Sequence, residues 1–125
     1  MKIIPTRQFK ADTDFYIRKK KYLKILDDIK TVTDELSKGN LIGDKLEGLR
    51  LQENTAAYKV RVANTSTKSG KSNGFRIIYY VIFEEKIYLL TIYSKKDSNN
   101  IPNDSQIEML IKNVIEEKND SQKNF

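Results

Sequence analysis

A chain of 125 residues with a formal net charge of +6 and a pI near 9.4 is long enough for one domain with a modest core and too short for two. The absence of cysteine removes disulfides, thiolate nucleophiles and Cys-based metal sites, and it fits a reducing cytoplasm. The absence of histidine leaves any acid-base chemistry to Lys, Arg, Tyr, Glu or Asp and excludes imidazole shuttles and zinc ligands. The basic balance favours a polyanionic partner, and it is unevenly distributed. No acidic residue lies between Glu53 and Glu84, a window that holds Lys59, Arg61, Lys68, Lys71 and Arg76, whereas the stretch from Asp104 onward is slightly acidic.

In chain order, "MKIIPTRQFK" has only a brief apolar patch broken by Pro5, so it predicts neither a signal peptide nor a membrane span, and a soluble cytoplasmic protein is expected. A short first strand fits Lys2 to Ile4. The segment Asp12 to Lys38 predicts helix, broken into two. Within it Ile25, Ile29, Val32 and Leu36, with Leu26, recur at helical spacing as a core-facing stripe, and Gly39 supplies a C-terminal stop. The cation run "RKKKYLK" from Arg18 reads as the solvated face of a helix, with a nucleic-acid contact as the alternative. A loop follows through "GNLIGDKLEGL".

Three strands come next. "YKVRV" alternates Tyr58, Val60 and Val62 on one side with Lys59 and Arg61 on the other, the period of a strand with one buried face. "NTSTKSGKSNG", Asn64 to Gly74, is polar and predicts a long hairpin loop. "FRIIYYVIF" and "KIYLLTIYSK" follow as strands joined by a short turn at Glu84 and Glu85, which makes an antiparallel meander. The tyrosines at 58, 79, 80 and 88 are expected to pack in the core or on the sheet. Finally Ile107, Leu110, Ile111, Val114 and Ile115 predict an amphipathic helix, and residues 119–125 a polar tail of a single domain spanning 1–125.

The Gly-Lys-Ser at 70–72 is not a Walker A loop. The glycine that motif needs five positions earlier is Thr65, and a β-branched, aromatic strand follows where the motif requires a helix. With the hairpin centred near Lys68 and Ser69, Arg61 falls opposite Arg76. Lys59, Arg61 and Arg76 then share one face, a basic cluster on a sheet face that the helices leave open; solvated edge decoration is the alternative.

At this point Tyr58 to Asp97, "YKVRVANTSTKSGKSNGFRIIYYVIFEEKIYLLTIYSKKD", resembles the core of the RelE/ParE superfamily of type II toxin-antitoxin toxins, nearest the RelE and HigB-like branch. The specific part is "GKS-x-GFR-hydrophobic-IYY" with "IYLLTIYSK". The resemblance implies a compact α+β fold: an antiparallel sheet of three to four strands, two N-terminal helices packed on one face, and a C-terminal helix. It implies a ribosome-dependent messenger RNA endoribonuclease that needs no metal or other cofactor and works by attack of the ribose 2′-hydroxyl on the adjacent phosphate. Such a step needs a base, positive charge for the phosphorane and an acid.

By the same resemblance Lys59 and Arg61 match the basic positions of the central strand, and Arg76 matches the arginine that stabilises phosphate charge. Lys95 or Lys96 fills the cation position after the last strand. No tyrosine follows Tyr93, so Tyr93, or Phe125 in the tail, replaces the family's base-stacking tyrosine. Lys68, Lys71 and Lys96 are expected to bind RNA or ribosome. The implied partners are the ribosome with its messenger RNA and a cognate antitoxin that forms a hetero-oligomer with the toxin. A ParE-like gyrase inhibitor and a non-catalytic RNA- or ribosome-binding module stand as alternatives.

Overall fold

The structure is a computed structural model that describes residues 1–97 and 101–123, of which 118–123 by backbone alone. Its elements are β1 (Lys2–Pro5), α1 (Arg7–Arg18), α2 (Ile25–Ser37), β2 (Asp44–Lys45), β3 (Thr55–Val62), β4 (Phe75–Ile82), β5 (Lys86–Ser94) and α3 (Asp104–Lys123). Two short 3₁₀ turns, Thr65–Thr67 and Lys71–Asn73, shape the connection between β3 and β4.

The class is α+β, with a five-stranded sheet in the order β1-β5-β4-β3-β2. The β3-β4-β5 meander is antiparallel as the alternation predicts. The expectation of three to four antiparallel strands is corrected at both edges. The two-residue β2 pairs with β3, and β1 lies parallel to β5 with Lys2 beside Lys86, so the sheet is mixed. The physical reason is length: two to four residues carry too little period to be read, yet each pairs with part of an edge of the meander.

Layering explains the apolar run of β4. Its residues alternate between two cores. Phe75, Ile77, Tyr79 and Val81 pack with Phe9, Tyr16, Ile25, Val32 and Leu36 of α1 and α2, whereas Ile78 and Tyr80 pack with Ile107, Ile111 and Val114 of α3. A strand covered on both faces has no solvent side to mark with polar residues. The helices therefore lie on both faces of the sheet, and the face carrying Arg61 and Arg76 is not left open along its whole length. Beyond Ala57 and Ile78 it is covered by α3 and by Leu46, Leu49 and Leu51.

Local corrections follow the same logic. The first helix begins at Arg7, because Thr6 caps it by accepting from Phe9 N at 3.2 Å while its hydroxyl donates to Leu89 O. In α2 the stripe Ile25, Ile29, Val32 and Leu36 is buried as expected, whereas Leu26 is 61% exposed. Gly39 ends the helix at φ +88°, a conformation suited to glycine. The run from Lys19 to Lys24 is the link between α1 and α2 and not a helical face. The backbone of α3 continues to Lys123, into the stretch expected as a tail.

Candidate nucleic-acid interface

The hairpin between β3 and β4 is built around its tip. Asn64 and Ser69 exchange two backbone hydrogen bonds, Asn64 N to Ser69 O at 3.0 Å and Ser69 N to Asn64 O at 2.9 Å, and Lys68 turns the chain at φ +56°. Gly74 closes the loop for a steric reason. A Cβ there would lie 2.0 Å from Val62 O, so only glycine allows the strands to approach. At Gly70 an added Cβ would meet nothing within 4 Å.

With the tip at Lys68 and Ser69, the register places Arg61 of β3 opposite Arg76 of β4, and Arg76 opposite Tyr93 of β5. The three form one row across the sheet, on the face shared with Ala57 and Ile78. Lys59 lies two residues further along β3, half-buried, between Ile78 of β4 and Asp44 of β2. It therefore belongs to the same face but to a different row, with a carboxylate-bearing residue as its cross-strand neighbour.

The two arginines differ in kind. Arg61 is exposed, whereas Arg76 is 7% exposed and folds back onto the loop. Its Nη1 donates to Lys71 O at 3.0 Å and Phe75 O at 3.2 Å, and its Nη2 to Ser72 O at 3.1 Å. Three of the five N–H groups of a guanidinium are so engaged, and Nη1 has none to spare for a ligand. These contacts tie the guanidinium to the loop, so the expected clamp on two phosphate oxygens would have to use the remaining N–H groups, on Nε and Nη2. Burial holds its pKa below the usual arginine value, and the like charge of Arg61 adds to this, with Tyr93 acting in the opposite sense.

Tyr93 is 5% exposed and lies in the core beneath α3, so its ring offers no stacking surface to a base. The pKa of its phenol is pushed up by burial, partly offset by the Arg76 cation. Lys95, in the turn just after β5, is exposed. Its N–H donates to Gly74 O at 3.0 Å, which ties it to the start of β4. Lys96 is exposed in the same turn. Lys68 and Lys71 are exposed on the hairpin, and Phe125 lies outside the described residues.

Two carboxylates missed in the sequence hold this end together. Asp28, 3% exposed, accepts from Thr65 N at 3.0 Å and Thr65 Oγ1 at 2.8 Å, which pins the first 3₁₀ turn to α2. Asp12 of α1 accepts from Thr91 Oγ1 and Ile92 N and so covers the part of the β5 edge that β1 does not reach; burial raises its pKa against the hydrogen bonds from Thr91 and Gln8. The signal for Asp28 was present. It falls at the i+3 position after Ile25 within the apolar stripe, where an acid needs a buried partner.

No family model matches the chain, and no curated protein matches it. Among the described residues no group of three or more Asp or Glu could hold a metal ion, and no helix is long and apolar enough to cross a membrane.

Proposed function

We propose that this protein is the toxin of a type II toxin-antitoxin system, a ribosome-dependent messenger RNA endoribonuclease of the RelE and HigB-like kind. The observation that carries the reading is the register that sets Arg61 opposite Arg76 on adjacent strands at the hairpin end of the sheet, with Arg61 exposed. Two like charges held side by side repel, and an anion between or above them removes the penalty.

Within this reading Arg61 meets the scissile phosphate and balances the charge that develops on the phosphorane. Arg76 is a positioning residue that holds the carbonyls of Lys71 and Ser72 and adds positive field from below. Lys95, exposed in the turn after β5, is the candidate to protonate the leaving oxygen, and Lys59, in its neutral amine form, the candidate to receive the 2′-hydroxyl proton. The antitoxin would neutralise the toxin by covering this basic end.

A second reading is favoured by a specific observation. The commitment of Arg76 to the loop and the burial of Tyr93 withdraw two of the side chains the sequence pattern nominates for catalysis, and a non-catalytic ribosome-binding module would need neither at the surface. The experiment is to add purified protein to an in vitro translation reaction and map messenger RNA 5′ ends for wild type and Arg61→Ala, with naked RNA as control. Cleavage on translating ribosomes alone, lost in Arg61→Ala while ribosome binding persists, is the expected result. An intact message with wild type would leave the binding module as the reading.

A further inference from the structure

The cation run 18–24, taken from the sequence as a solvated helix face, does something else in the fold. Its residues Lys19 to Lys24 form the α1–α2 connection, and that connection is docked on the β3–β4 hairpin. Lys24 N donates to Ser66 Oγ at 3.0 Å. The Tyr22 ring lies 6.0 Å from that of Phe75, the first residue of β4, and 6.0 Å from that of Tyr16, against which it stacks. Asp28, one turn into α2, holds Thr65 of the same hairpin.

Two basic segments more than forty residues apart in the chain are thus joined into one rim at one end of the molecule. Lys19, Lys20, Lys21 and Lys24 on the connection and Lys68 and Lys71 on the hairpin are all exposed. Arg18, at the end of α1, pairs with Asp14 of the same helix at 2.9 Å. Of the acids nearest in sequence, Asp14 is paired with Arg18 and Asp28 is buried beneath Thr65, which leaves Asp27, exposed at the start of α2, as the one carboxylate beside six exposed lysines.

We propose that this rim docks a double-stranded RNA segment, with the Lys19–Lys24 connection and the hairpin tip each following one line of phosphates. The choice of RNA among polyanions rests on the function proposed above. A membrane surface is less well matched, because the hairpin tip is wholly polar and Leu23, 74% exposed, is the one large apolar side chain of the connection that faces solvent. Duplex RNA is bound mainly through phosphates and shape, which asks for spaced cations on a rigid frame and no base-reading side chains.

The test is fluorescence anisotropy of the full chain with a labelled RNA duplex of about two helical turns, over a range of salt concentrations. The variants are wild type, the triple Lys19→Gln, Lys20→Gln, Lys21→Gln, and the same three positions changed to Arg, each checked by thermal unfolding. The Gln triple is expected to bind roughly tenfold or more weaker near 0.15 M salt, with the slope of log Kd against log salt reduced by about 2 to 3, while the Arg triple binds as wild type. The proposal is overturned by a Gln triple with wild-type affinity and slope, by an Arg triple as weak as the Gln triple, or by a wild type that prefers vesicles of anionic lipid to the duplex. Mapping of 5′ ends separates this from the nuclease reading. Duplex binding without cleavage leaves the rim and removes the nuclease, and cleavage with an unaffected Gln triple does the reverse.

Discussion

The two hairpins of the meander lie at opposite ends of the sheet and are built differently. The β3–β4 connection is long, crossed by its own backbone bonds, pinned to α2 through Asp28 and braced from below by Arg76. The β4–β5 turn, Phe83 to Glu85, is short; Phe83 N donates to Asn54 O, Glu85 N to Ile82 O, and Glu84 takes φ +67°. The first end carries Arg61, Lys68 and Lys71 and the second Glu53, Glu84 and Glu85. Anchoring and positive charge coincide at one end, and this is the pattern of a surface that must hold cations in fixed places against their mutual repulsion.

Substitutions at the two ends should therefore have unequal effects. The largest is expected for Arg61→Ala, which should lower ribosome-dependent cleavage by about two to three orders of magnitude while stability stays within about 0.5 kcal/mol, because the side chain is exposed. Gly74→Ala should destabilise by roughly 3 kcal/mol in chemical denaturation, since the added Cβ meets Val62 O and the strands must part.

Arg76→Ala should cost about 2 kcal/mol of stability and weaken cleavage in parallel, and Arg76→Lys should restore little of either, because a point ammonium cannot span the carbonyls of Lys71 and Ser72. Asp28→Ala leaves Thr65 N–H without its acceptor and should cost about 1 to 2 kcal/mol, with faster amide exchange confined to the 64–74 loop. The smallest effect belongs to the other end: Glu84→Gly should stabilise by about 1 kcal/mol by relieving a left-handed non-glycine residue, with no change in cleavage. Equal sensitivity of the two ends would contradict the contrast between them.

Much of this was legible beforehand. The Arg61 and Arg76 pairing followed from the tip position, because an antiparallel hairpin is symmetric about its turn and side chains alternate with period two. The α2 stripe and the α3 face followed from helical spacing. The acceptors of Arg76 could not be read, since they depend on the loop carbonyls of Lys71 and Ser72 folding back over the strand. Nor could the burial of Tyr93, which α3 imposes from the other side of a long connection. The role of Lys19 to Lys24 stayed hidden because charge runs look alike on a helix and on a docked turn.

Periodicity and turn chemistry act over a few residues, so the chain alone determined the apolar stripes of α2 and α3, its three main strands, the register of the hairpin and the concentration of positive charge between Glu53 and Glu84. The tertiary structure decided the parallel addition of β1, the covering of both sheet faces, which arginine is exposed and which is buried, and the joining of the 18–24 and 64–74 segments into one rim. Each of those depends on hydrogen bonds and apolar contacts between residues tens of positions apart, whose partners are defined only once the loops between them have closed.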